Sequence, residues 1–303
     1  MDPDNFDFHI SNNYRSELSW QGLEIGCKKA LNCIEDIFKQ NVKCTWFARA
    51  DNQIEQYMGR KTSFLENFEK LIQYLCDRKQ LIGFHPHLER FDNKTNKWIL
   101  ENNLKDLLLN FELSFNSFRR FGLSPKVVRI GGNLSEKNLF IKMEQVGVEI
   151  DSSAMPGRYR KDKERSFDWR KTPNTIFKPS LKDPQIPGNP SLKFFEIPFT
   201  MHEIKTSYDK KPLKRYLDLT FDKDLLKYFF NENLSNLQYI LIICHPSLLF
   251  NKVKRNPHAL LKYGEFNFRE NLKNLKNALD VYKIKYDFLT LKELVNINND
   301  KYS

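Results

Sequence analysis

Apolar runs of strand length alternate along this chain with longer stretches in which apolar residues recur at helical spacing. The runs KCTWFARA (43–50), QLIGF (80–84), KVVRIG (126–131), VGVEID (146–151), KFFEIPFT (193–200), YILIICH (239–245) and KYDFLTL (285–291) are mostly continuous rather than alternating. Continuous runs are the pattern of strands buried on both faces. Between them, residues 22–40, 63–79, 104–122, 135–147, 222–234 and 267–283 predict helices, with Ser63 and Ser135 placed as N-caps. Strand-then-helix repetition predicts a parallel sheet, and this many repeats predicts its closure into a barrel. No linker or internal repeat divides the chain, so residues 1–303 are expected to form one α/β domain. Residues 152–192, rich in Pro, Lys, Arg and Ser, interrupt the alternation and read as a long loop over one rim. The terminal stretch 284–303 reads as a closing strand and short helix.

Composition changes this picture little. With 303 residues and 40% hydrophobic content the chain is long enough for a large core. The 49 basic residues outnumber the 38 acidic ones by 11, a balance that favours acidic partners. The lysines, however, are scattered among asparagines without an arginine-rich run or a zinc-finger spacing. They read as a solvated surface, and no nucleic-acid role is expected. Five cysteines at irregular spacings, several inside apolar segments, argue for reduced thiols and a cytoplasmic location. The start MDPDNFDFHI lacks a basic stretch followed by an apolar one, and no later run reaches the ~18 apolar residues of a membrane span.

Chemistry concentrates where the predicted strands end. The chain has six histidines, and two of them, His85 and His87, bracket a proline in LIGFHPHLER. Residues two apart on extended backbone point to one side, so both imidazoles are expected to face one spot. Parallel α/β folds build their sites at the carboxyl ends of strands. There Arg129, Asp151 and His245 follow their own apolar runs, while Asp2, Asp4 and Asp7 cluster at the start. One carboxylate and two imidazoles with a position left for water form a divalent-metal site able to activate that water. Blander readings stand beside this one. Arg129 suits a buried ion pair, Asp151 a turn, and His245 a satisfied core histidine.

Taken in order, these segments resemble the polysaccharide deacetylases, the NodB-homology family of carbohydrate esterases. The resemblance is carried by the D-x-D start, CTWFARADNQI (44–54), IGFHPHL (82–88), VRIGG (128–132), EIDSSAMPG (149–157) with FDW (167–169), and ICHPSLL (243–249). It implies a distorted (β/α)7 barrel and a metal-dependent hydrolase that removes an acetyl group from an N- or O-acetylated sugar or polysaccharide precursor. By position, Asp2 would be the general base and Asp4 a ligand of a divalent metal, zinc by default. His85 would be a second ligand, Arg129 would hold the base, and His245 would be the general acid. Asp168 or Asp151 would orient His245, while Trp169 and Asp51 would contact the carbohydrate. The family places a further ligand four residues after the first histidine, which here is Glu89, so His87 and Glu89 both stand as candidates. Asp7 and His9 are alternative ligands at the start. Loops 51–62 and 152–192 would choose the substrate. The nearest alternatives are an allantoinase-like amidase of the same superfamily and a non-catalytic carbohydrate-binding barrel.

Overall fold

The structure is a computed structural model, and it describes residues 17–162, 165–205, 209–234, 237–249 and 264–299. In chain order the elements are α1 (Glu17–Phe38), β1 (Thr45–Ala48), α2 (Asn52–Met58), α3 (Ser63–Asn67), α4 (Glu69–Asp77), β2 (Leu81–Phe84), β3 (Glu89–Asp92), β4 (Lys97–Leu100), α5 (Leu104–Arg120) and β5 (Val127–Val128). They continue with α6 (Lys137–Gln145), β6 (Ile150–Asp151), β7 (Tyr159–Lys161), β8 (Ser166–Asp168), β9 (Phe195–Glu196), β10 (Met201–Ile204), β11 (Leu213–Asp218), α7 (Lys223–Asn233), β12 (Ile242–Ile243), α8 (Gly264–Val281) and α9 (Leu291–Asn299). The described residues divide into two compact units, one holding residues 44–198 and 290–299, the other residues 17–43 and 199–289.

The larger unit is built on the expected parallel sheet, in strand order β1-β2-β5-β6-β9. Every pairing in it is parallel, and the register carries Phe84 to Val128, Val128 to Asp151 and Asp151 to Glu196. The apolar runs predicted this sheet because its strands are buried on both faces. Helix α5 covers β2 with an aromatic cluster: Phe84 is fully buried with the Phe111, Phe115 and Phe118 ring centroids 5.1–6.2 Å from its own. In the smaller unit β10 pairs antiparallel with β11, β11 pairs parallel with β12, and α1, α7 and α8 accompany them. There the Asn271 side chain donates to the carbonyls of Leu219 and Phe221, satisfying backbone acceptors just past β11.

Several expectations are corrected. Among the described residues the ladders form a five-stranded sheet, a three-stranded one and two two-stranded ones, β3-β4 and β7-β8, and show a parallel α/β sheet without showing the barrel. The run 285–291 forms no strand, because Thr290 and Glu293 make a capping box that starts α9 at Leu291. The 63–79 helix is broken at Phe68, whose φ of −109° and ψ of 18° leave the helical region. Neither predicted serine caps a helix. Ser63 Oγ donates to the Met58 carbonyl, Ser135 Oγ accepts from Asp168 N, and Glu136 caps α6 instead. Within 152–192 lie the β7–β8 hairpin and two isolated bridges, a third joins Phe177 to Glu196, and residues 52–58 of the predicted 51–62 loop are helical.

Candidate functional site

Strand β2 ends at Phe84 and delivers His85 and His87, with Pro86 between them. Their Nε2 atoms lie 3.2 Å apart and the ring planes are perpendicular. His85 Nδ1 lies 2.6 Å from the Arg129 carbonyl, which can only accept, so Nδ1 carries the hydrogen and the lone pair of the neutral ring sits on Nε2. Two nitrogens each bonded to a tetrahedral zinc at ~2.05 Å stand about 3.3 Å apart. The spacing and the tautomer of this pair therefore fit two ligands of one divalent cation, and the carbonyl behind His85 is the usual outer partner of a metal-bound imidazole. Among the described residues no third His, Cys, Asp or Glu joins them. The candidate residues Asp2, Asp4, Asp7 and His9 lie outside the described residues.

One glycine makes room for the His87 imidazole, and the next turns the chain. A Cβ on Gly131 would lie 2.4 Å from His87 Cδ2, so only glycine lets the backbone after β5 approach the ring. Gly132 follows with a φ of 69°, the left-handed conformation that turns the chain away.

Behind His87 runs a closed circuit of buried polar groups. Asp51 accepts from Arg49 Nε (2.9 Å) and Nη2 (3.0 Å), from the backbone N–H groups of Gln53 and Ile54 as the cap of α2, and from the His87 N–H (3.1 Å). Arg49 also donates to Gln53 Oε1 at 2.6 Å, Gln53 Nε2 donates to Glu89 Oε2 at 2.5 Å, and Glu89 Oε1 lies 3.9 Å from His87 Nδ1. Burial works to raise both acids, yet the charge and hydrogen bonds of Arg49 hold Asp51 below the usual carboxylate range. His87, beside it, does the same for Glu89. Asp51, expected to touch a sugar, is thus fully buried with five donors on its two oxygens. Glu89 stands against His87 Nδ1, on the other side of the ring from the Nε2 pair. Arg49 and Gln53 escaped the sequence reading. Their signal is the spacing R-x-D-x-Q across a strand end and a helix cap, which reads as a turn until the fold closes it.

The next strands carry a second cluster. Arg129 donates from Nε to the Ser152 carbonyl at 3.0 Å and from Nη2 to Ser152 Oγ at 3.2 Å, and its guanidinium carbon sits 4.3 Å from the Phe47 ring centroid. Asp151 is fully buried and accepts from Ser153 Oγ at 2.7 Å, while Glu196, its neighbour on β9, accepts from the backbone N–H groups of Ser153 and Ala154. Burial raises both acids, and the charge of Asp151 pushes Glu196 well above the usual range. Trp169, expected to line a sugar pocket, is fully buried, donates from Nε1 to the Asn133 carbonyl and packs against Phe140. A ring so enclosed has no face for a ligand. Asp168 accepts at the surface from Nε and Nη2 of Arg170.

In the smaller unit, His245 follows β12 and Asp218 ends β11. His245 Nδ1 lies 2.8 Å from Asp218 Oδ2, and Asp218 Oδ1 accepts from the Thr220 N–H at 2.8 Å and from Thr220 Oγ1 at 2.6 Å. The carboxylate that holds His245 is therefore Asp218, in place of the expected Asp168 or Asp151. Its signal in the sequence is an aspartate closing the apolar stretch YLDLT with a threonine two residues on. This arrangement fixes the orientation of the imidazole, as an imidazole that transfers a proton requires.

No protein-family model and no curated protein sequence matches the chain. Among solved structures it is similar to a "putative polysaccharide deacetylase" from Mycobacterium smegmatis, with 11% identity and a TM-score of 0.44 over 89% of this chain and 82% of that one. It is also similar to a 4-alpha-glucanotransferase from Thermococcus litoralis, with 12% identity and a TM-score of 0.43. That match covers 92% of this chain and 36% of the transferase.

Proposed function

We propose that the protein is a metal-dependent hydrolase that removes an acetyl group from an acetylated sugar or glycan precursor. The observation that carries this reading is the His85–His87 pair, with Nε2 atoms 3.2 Å apart and the His85 tautomer set by the Arg129 carbonyl. His85 and His87 would hold the cation, with Glu89 behind His87 as the acceptor for its Nδ1–H. The remaining ligand and the general base would come from the aspartates at the start of the chain, Asp4 and Asp2. A bound divalent ion of this class polarises a carbonyl and lowers the pKa of a coordinated water. His245, braced by Asp218, has the equipment of a general acid for a departing amine or alcohol. Arg129, with its guanidinium plane against Phe47 and Ser152, offers a fixed cation for a carboxylate.

Elemental analysis of the purified chain after zinc loading, beside His85→Ala and His87→Ala, tests this directly. About one metal per chain, lost in both variants, is expected, followed by acetate release from an acetylated amino sugar. Metal binding without acetate release from any acetylated sugar would favour the carbohydrate-binding alternative. No metal in the wild-type chain would overturn the reading.

A further inference from the structure

The larger unit buries two carboxyl groups side by side, and the reading above gives Glu196 no task. Asp151 and Glu196 are register partners on parallel β6 and β9, and neither exposes any surface. One oxygen of each is served. Ser153 Oγ donates to Asp151 Oδ1 at 2.7 Å, and the N–H groups of Ser153 and Ala154 donate to Glu196 Oε1 at 3.1 and 2.9 Å. The other two oxygens, Asp151 Oδ2 and Glu196 Oε2, are sealed from solvent and receive no donor among the described residues. Adjacent buried carboxylates cannot both carry charge, and a carboxylic acid, unlike a carboxylate, is a donor. A single proton between them satisfies both orphan oxygens.

The surroundings place that proton on the Glu196 side. Arg129, facing the pair from β5, favours a charged Asp151, while Phe177, bridged to Glu196 from its other edge, brings no charge. Glu196 is the acid pushed furthest up, by burial first and then by the charge of Asp151.

What the pair holds is the floor of the bis-imidazole. Ser153 Oγ accepts from Ile130 N at 2.8 Å and the Ser153 carbonyl accepts from Asn133 Nδ2 at 2.8 Å. Ser152 anchors the Arg129 guanidinium, and the Arg129 carbonyl takes His85 Nδ1–H. We propose that Glu196 and Asp151 hold one proton between them, and that Glu196 is thereby a positioning residue for Arg129 and His85. Its bearing on catalysis rests on the metal reading above, but the shared proton does not, and metal-free protein tests it alone.

The sign follows from linkage. The folded pair keeps a proton that the unfolded carboxyls release near pH 4, so its contribution to stability is complete below that value and is lost as pH rises through the folded one. Within the window each pH unit lowers the folding constant about tenfold. Glu196→Gln replaces the shared proton with a permanent N–H donor to Asp151.

Three readouts on metal-free protein are expected to agree. Infrared difference spectra at neutral pH show a protonated-carboxyl band in the wild type that is missing from E196Q. The thermal midpoint of the wild type falls with rising pH across the window, and E196Q lacks that slope. Nitrogen-15 spectra of labelled histidine show the His85 Nδ1–H tautomer lost at alkaline pH in the wild type and kept in E196Q, a change that a purely structural role for Glu196 would not produce. Absence of the carboxyl band from the wild type, or the same midpoint slope in both proteins, would overturn the proposal. Should E196Q fail to fold, Asp151→Asn, which supplies the donor from the opposite side, is read in the same three ways.

Discussion

Single side chains carry most of the proposed chemistry, and one of them is testable without knowing the substrate. The missing Cβ of Gly131 is what admits the His87 ring, since an added carbon would meet it at 2.4 Å. Gly131→Ala is therefore expected to displace the imidazole while leaving the sheet intact, and to weaken zinc binding about 10–100-fold by competition titration, the usual penalty for disturbing a ligand's support. Asp218 fixes His245 through Nδ1 and is itself held by Thr220. With an active substrate in hand, Asp218→Asn is expected to lower kcat by roughly 10²–10⁴-fold with little change in KM, the loss of a correctly oriented general acid. The histidine pair was legible in the sequence because a two-residue spacing at a strand end has one geometric meaning. The choice between His87 and Glu89 was not. It depends on which way each side chain turns after Pro86, where Gln53 takes Glu89 Oε2 and Asp51 takes the His87 N–H.

Segments of the chain show where local signals were overridden. The cap Asp51 belongs at once to α2, to the Arg49 ion pair and to the backbone of His87, so it ties a helix start to the end of another strand. Asp51→Ala would take from Arg49, only 2% exposed, the carboxylate of its buried ion pair and is expected to cost about 3–5 kcal/mol in urea unfolding. Phe84→Ala, which empties the centre of the aromatic cluster between β2 and α5, is expected to cost a similar ~3–5 kcal/mol, with the wild-type value of the urea slope unchanged. The apolar run 285–291 looked like a strand because composition alone does not distinguish a strand from the buried approach to a helix. The Thr-x-x-Glu box at 290–293 carried the deciding information and was overlooked. Likewise Ser135 had the chemistry of a cap, but its hydroxyl is taken by the Asp168 N–H, a partner 33 residues away in sequence.

For the chain in its entirety, the five cysteines give a probe of global unfolding. Cys76 is exposed, whereas Cys27 is buried and its thiol is pushed up to about 12, by burial first. A thiol reagent at neutral pH is expected to modify Cys76 in the native protein and Cys27 only at the rate of unfolding, a difference that mass spectrometry of the labelled peptides would read. Composition, the continuous apolar runs and the spacing of His85 and His87 were enough to specify unpaired cysteines, a parallel α/β sheet and the meeting of the two imidazoles, because each follows from local periodicity and burial. Closure of the sheet was not specified, since strand order and edge pairing depend on contacts between distant segments. The partners of the site residues belong to the same class. Asp218 reaches His245 across 27 positions, and Glu196 meets Asp151 through sheet register. Burial of Trp169, whose aromatic ring reads equally well as a sugar platform or as core, was decided by the Asn133 carbonyl and Phe140. Periodicity states which face a side chain takes, but register between strands far apart in sequence states what it meets there.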